Sequence, residues 1–253
     1  LVLDNQSGHP TNLQTHGLRV SPTGNADNPF LEIPAGQRFT YVIDIPADHP
    51  GGLFWYHPHL HHHVAEQLFA GFFGAIIVED SFDQLSEVQA ARERLLLVHD
   101  ARPGMTESSV MGASMMERMN GREGSVVMVN GVAAPVITAN AGQIERWRIL
   151  NASPSRYYQL SLNGTGFAVV GVDGGRLSAP SPVETIVLVP GERVEVFVSP
   201  KAPGSYILET LAVDRGTAGM GMGRQATSGA ATVARFIVSG TQAAPISPSL
   251  QLA

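Results

Sequence analysis

Leu31-Glu32-Ile33-Pro34-Ala35-Gly36-Gln37-Arg38 opens a run in which Phe39, Tyr41, Ile43 and Ile45 fall on every second position. The same order returns in Ile137-Thr138-Ala139-Asn140-Ala141-Gly142-Gln143-Ile144, which leads into Trp147, Ile149 and Asn151. A shorter variant, Val189-Pro190-Gly191-Glu192-Arg193, launches Val194, Val196 and Val198. A glycine turn followed by a period of two is the signature of a β-strand with one face in a core. The two Ala-Gly-Gln tripeptides are separated by roughly 100 residues, the size of one small β-sandwich domain.

Composition agrees with this reading. The chain has 253 residues, of which 43% are hydrophobic and only 15% charged, with 27 Gly and 17 Pro. Soluble chains average about 25% charged residues. A low charge content, many turn formers and short aliphatic runs predict an all-β protein. A formal net charge of -6 argues against nucleic acid as a partner. The absence of cysteine excludes disulfides, thiolate nucleophiles, iron–sulfur clusters and any Cys-ligated metal within these residues. The longest apolar run, Leu68 to Val78, is about half the ~20 residues of a membrane-spanning helix. No basic leader precedes Leu1-Val2-Leu3, so the chain reads as a mature or truncated product.

The expected organisation is a first domain over 1–80, a linker over 81–94, a second domain over 95–240 and a further linker over 241–253. A short connecting helix is expected within Leu85 to Arg94, with a new strand at Leu95-Leu96-Leu97-Val98. Val110 to Met119 reads as a helical or loose excursion, and the glycine-rich run Gly216 to Gly229 as a loop. Trp147 reads as a core residue flanked by outward-facing Arg146 and Arg148, and Asp173-Gly174-Gly175 as a tight turn.

All nine histidines lie between His9 and His99. The densest stretch is Trp55-Tyr56-His57-Pro58-His59-Leu60-His61-His62-His63. Residues i and i+2 of a strand share a face, so His57 and His59 can approach one metal centre. Pro58 cannot donate to a ladder, which places the pair at a strand end or sheet edge. Imidazole suits Cu, Zn, Fe and Ni. Exposed loop histidines are the competing reading of His-X-His alone. Thr15-His16-Gly17 adds a histidine next to a glycine, where backbone approaches closely. The corresponding stretch of the second half, Pro203-Gly204-Ser205-Tyr206-Ile207-Leu208-Glu209, keeps the scaffold without the imidazoles.

At Thr15-His16-Gly17, Trp55-Tyr56-His57-Pro58-His59, Val129-Asn130-Gly131, Arg146-Trp147-Arg148-Ile149-Leu150-Asn151-Ala152 and Val172-Asp173-Gly174-Gly175 the sequence resembles the multicopper oxidases, laccase-like proteins of cupredoxin fold. The resemblance implies two tandem cupredoxin-like Greek-key β-sandwiches, the first without its opening strands, and a third cupredoxin domain absent from these residues. By position it implies that His16, His57 and His59 are type 3 copper ligands, in a trinuclear cluster shared with that domain. The type 1 copper, with its Cys ligand, would sit on the third domain. The family's type 2 histidine falls at Gln14, whose carbonyl oxygen is a harder and weaker copper donor, so type 2 occupancy is expected to be weakened or lost.

The implied reaction is one-electron oxidation of a small reducing substrate such as a phenol, an amine or Cu(I), coupled to reduction of dioxygen to water. These residues alone are expected to be inactive, and the localisation implied is extracytoplasmic, periplasmic or secreted. Asp27 is either a proton donor toward the cluster or a turn residue of Gly24-Asn25-Ala26-Asp27-Asn28-Pro29. His61, with His62 and His63, either supports the ligands from behind or sits on an exposed loop. Met105, Met111, Met115, Met116, Met119, Met220 and Met222 either handle cuprous ions or fill apolar gaps. A noncatalytic copper-binding or structural relative, signalled by Gln14, is the alternative function. A nitrite reductase would need a Cys ligand, and a zinc hydrolase a Glu at the His-Glu-x-x-His spacing of a zincin helix; neither is present.

Overall fold

The computed structural model describes residues 1–217 and 225–240. Their architecture is all-β, as expected, with a large sandwich and a smaller unit packed on its side. The seven-stranded sheet of the sandwich runs in the order Gly175–Val183, Phe167–Val172, Arg193–Val198, Glu145–Asn151, Arg92–Ala101, Val126–Val129 and Val132–Ala133. The facing sheet runs Thr185–Leu188, Tyr158–Leu162, Gly204–Leu211, Ala231–Ser239 and Val136–Asn140. Each sheet is mostly antiparallel with one parallel pair, Glu145–Asn151 beside Arg92–Ala101 and Ala231–Ser239 beside Val136–Asn140. Trp147, Ile149, Tyr158, Leu160, Val196, Leu208 and Phe236 meet in the core between the sheets. The Trp147 and Phe236 rings pack edge to face at 5.2 Å.

The smaller unit contains a three-stranded antiparallel sheet, in which Gly52–His57 lies between Gln14–His16 and Gly74–Val78. A two-stranded ladder joins Val2–Asp4 to Arg38–Thr40. Leu13, Ile33 and Tyr41 form its core. The alternation from Phe39 onward holds regular strand only as far as Thr40, and Ile45 is exposed. The two units share one apolar cluster, in which Leu53, Trp55 and Leu68 pack against Leu150 and Ala152.

Between the units, Ser81–Gln84 forms a 3-10 turn and Ser86–Ala90 a short helix. The 3-10 turn opens on a capping box between Asp80 and Asp83, which satisfies the amides left free at its start. The strand that follows begins at Arg92, ahead of the Leu95 expected from its aliphatic run.

This connector corrects the reading of Arg146 and Arg148 as outward-facing. Both are buried, at 3% and 1% exposure. Arg146 pairs with Asp83 at 2.7 Å and Glu195 at 2.6 Å. Arg148 pairs with Asp83 at 2.8 Å and Glu93 at 3.1 Å. The outer face of their strand is roofed by the 3-10 turn, with Phe82 and Val88 packed on Val170. Period two assigns a face to each residue; it does not say what covers that face.

Val110 to Met119 is largely helical, in two short pieces, Glu107–Met111 and Met115–Asn120. Met115, Met116 and Met119 are exposed, so they fill no core gap. Met220, Met222 and the expected linker 241–253 lie outside the described residues. The loop expected over Gly216 to Gly229 is corrected at both ends, because Val213–Thr217 pairs antiparallel with Gln225–Ser228.

Candidate metal centre

The central strand of the small sheet carries the sequence Gly-Leu-Phe-Trp-Tyr-His and ends at His57. Pro58 follows it and cannot extend the ladder, so the chain turns out of the sheet as expected. Gln14–His16 pairs with it antiparallel, in the register Gln14 to His57, Thr15 to Tyr56 and His16 to Trp55. Directly paired residues project on one side of a sheet. Gln14, His16, Trp55 and His57 therefore share a face.

On that face the rings form a compact group. The His16 and His57 centroids are 5.3 Å apart, His16 lies 5.1 Å from Trp55, and Trp55 lies 4.1 Å from His57. His16 Nδ1 is 3.1 Å from His57 Nε2. The Pro58 carbonyl lies 2.9 Å from His57 Nδ1. A carbonyl only accepts, so Nδ1 of His57 carries the proton and Nε2 is left as the lone pair. His59 lies past the strand end, its ring 6.3 Å from that of His57. Its backbone N–H donates to Asn12 Oδ1 at 2.6 Å, and Asn12 is anchored by donating to the carbonyls of Pro29 and Leu31.

Burial keeps the His16 and His57 imidazoles neutral. The His16 pKa is pushed down to about 4, first by desolvation and then by the nearby His57 and Arg193, against an opposing contribution from Asp173. Burial also lowers that of His57, opposed by its bond to Pro58. Neutral imidazole is the ligating form.

These residues fit a copper centre on two observations. His59 Nδ1 is buried without a hydrogen-bond partner, and His57, with Nδ1 committed to Pro58, turns Nε2 toward His16 Nδ1 at 3.1 Å, so that ring nitrogens of two histidines converge. Among the described residues, no three His, Asp or Glu side chains close around one point as a cage. The donors are strung out along the strand end instead.

Gln14 sits directly opposite His57, where its amide can face the same space. Asp27 lies behind the strand; its Oδ1 accepts the Thr15 N–H at 2.5 Å, between Gln14 and His16. Its charge bears on His57 and on Tyr41. His61 is exposed, its ring 6.2 Å from His59.

Two contributors were not recognised in the sequence. Asn12 is one. The other is Arg193, which crosses from the large sandwich, donates from Nε to the Leu53 carbonyl at 3.1 Å and pairs with Asp173 at 3.0 Å. Its signal was the Pro190-Gly191-Glu192-Arg193 turn, read only as the launch of a strand. A Cβ on Gly191 would sit 3.6 Å from the His16 ring, so this turn floors the histidine face.

Residues 1–83 and residues 93–234 each match a family model described as multicopper oxidase. The chain belongs to the multicopper oxidase family. It is 29% identical over 200 residues to the multicopper oxidase mco of Staphylococcus haemolyticus, covering 78% of this chain and 43% of that protein. It is 30% identical over 205 residues to the cell division protein FtsP of Edwardsiella tarda, covering 78% and 41%. The chain spans less than half the length of either relative. Among solved structures it resembles the laccase-like multi-copper oxidase CueO from Ochrobactrum sp., with a TM-score of 0.79 and 27% identity over 98% of this chain and 54% of that one. It also resembles the McoA multicopper oxidase of Aquifex aeolicus, with a TM-score of 0.81 and 27% identity over 100% and 55%. The fold of this multicopper oxidase chain is accordingly of the cupredoxin type.

Proposed function

We propose that this multicopper oxidase chain supplies one side of a copper cluster at which dioxygen is reduced to water at the expense of a small reducing substrate. The observation that carries the reading is the face shared by His16 and His57, both held neutral by burial, with His59 beside it and its Nδ1 unpartnered. His16, His57 and His59 would hold the type 3 ions, with Gln14 at the position of the type 2 ligand. The remaining ligands, and the type 1 copper with its thiolate, would come from a further cupredoxin domain.

Bound copper supplies one-electron redox chemistry, by which four electrons from a phenol, an amine or Cu(I) reach dioxygen. The chain's own part is positional. Trp55 and the Gly191 turn exclude water from one side of the imidazoles. The Pro58 carbonyl holds the proton on His57 Nδ1 and keeps Nε2 directed into the site, as second partners of metal-ligating histidines do. Asp27 pins the strand between Gln14 and His16 by accepting the Thr15 N–H. The proposed domains are 1–80 and 95–240, the second gaining the start of its strand from Arg92, and the proposed site of action is extracytoplasmic.

The test is copper loading of the intact protein, followed by absorption and electron paramagnetic resonance spectroscopy and by oxygen uptake with a phenol and with a diamine. A coupled, resonance-silent copper pair that is lost in His57→Gln supports the reading. Absence of any coupled pair in the loaded wild type refutes it.

A second reading is favoured by Gln14 together with the FtsP relatives: a copper-binding or structural protein with an impaired type 2 site. It predicts a coupled pair with no oxygen uptake, and recovery of uptake in Gln14→His.

A further inference from the structure

The histidines do not stop at the three expected ligands. They continue as a string from the interior to the surface. Ring centroids step from His16 to His57 by 5.3 Å, from His57 to His59 by 6.3 Å and from His59 to His61 by 6.2 Å. From His57, at 5%, exposure rises through the half-buried His59 to His61 on the open surface. The turn that carries His61 contains His62 at φ 69°, a left-handed conformation uncommon outside glycine.

The spacing has a chemical meaning. Two imidazoles holding one ion on opposite sides, with metal–nitrogen bonds of ~2.0–2.1 Å and about 1.1 Å from nitrogen to ring centre, place their centroids ~6.3 Å apart. The steps from His57 to His59 and from His59 to His61, at 6.3 and 6.2 Å, both have room for one ion between the rings. Near-linear coordination by two neutral donors is characteristic of monovalent copper. The buried, unpartnered Nδ1 of His59 supplies a donor with no competing hydrogen bond.

We propose that His59 and His61 form a copper-acquisition site, in which His61 captures Cu(I) at the surface and His59 passes it inward to the His57 and His16 positions. The proposal rests on the copper function assigned above and adds to it the route by which the centre fills. His61 is a transient ligand and leaves the shell once the ion has moved on. No electron is transferred in the step; one nitrogen ligand replaces another around the same ion.

The experiment uses the intact metal-free protein under anaerobic conditions, with Cu(I) presented from a coloured Cu(I) chelator at less than one equivalent. The readouts are the rate of chelator bleaching and the final copper content. His61→Gln is expected to slow uptake at least tenfold while reaching the wild-type content. His61→Met, which restores a soft donor, should recover most of the rate, whereas His61→Lys should not. His62→Gln, a change on the same turn, should load as wild type. Unchanged uptake in His61→Gln overturns the proposal, as does equal slowing in His62→Gln. A lower final content in His61→Gln also overturns it, because His61 would then be a resident ligand. Wild-type protein that takes up no copper at all sinks the copper function itself along with the route.

Discussion

Gly52 begins the strand that delivers His57, and it does so under a constraint that no other residue type meets. Its φ is 148°, and a Cβ built on it would lie 2.8 Å from the Cα of Gly174 in the neighbouring unit. The atom it meets is backbone, so no side chain can swing aside. Gly52→Ala should therefore incur two costs: about 1–3 kcal/mol for an L-residue in a glycine-only conformation, and another ~1–3 kcal/mol for overpacking against a fixed neighbour. Gly36 is the internal control, with φ 74° and no atom within 4 Å of its built Cβ. Gly36→Ala should cost only the conformational part, about 1–2 kcal/mol. Equilibrium urea denaturation reads both, with the midpoint shift converted through a common slope. The two tryptophans report from different places, Trp55 from the shared cluster and Trp147 from the sandwich core. Gly52→Ala should thus shift the midpoint clearly more than Gly36→Ala, and lower the amount of copper retained. If the two variants prove equally stable, the close approach of the units does not constrain the histidine strand, and the reasoning fails.

Glu195→Gln removes the carboxylate shared by Arg146 at 2.6 Å and Arg176 at 3.0 Å. Arg146 keeps Asp83 at 2.7 Å, so the loss is of one charge-assisted partner and should cost about 1.5–3 kcal/mol in thermal denaturation; a loss below ~1 kcal/mol would show that the network is solvated. Gln14→His places an imidazole opposite His57 and should raise the copper bound per molecule by metal analysis, and an unchanged stoichiometry would reject the vacancy at that position. His99 has its pKa lowered by burial. The unfolded chain therefore takes up this proton as pH falls through 6.5 while the fold resists it, so stability declines below pH 6.5. His99→Gln should decline less steeply between pH 7 and 5, and parallel profiles would remove His99 as a cause.

The legible part of the site was the part that is local in sequence. Trp55 through His59 shows its strand, its end at Pro58 and its ligand chemistry in a single short stretch. Gln14 declared itself by replacing a histidine in a recognisable motif. Arg193 and Asn12 did not, because each acts through contacts distant in sequence, to the Leu53 carbonyl and the His59 amide. Arg146 and Arg148 were placed on the correct side of Trp147 but in the wrong medium, since the roof over them is the separately folded 3-10 turn at Ser81–Gln84.

The amino-acid order alone determined the all-β class, the repeat, the confinement of the imidazoles to the first hundred residues and the exclusion of thiolate chemistry, because periodicity and side-chain chemistry are local properties. Tertiary structure alone decided the register that sets Gln14 against His57, the burial that keeps the ligands neutral, the floor supplied by the second unit and the 6.2 Å step out to His61. Those depend on which surfaces exclude water from one another. That is fixed only when distant segments pack.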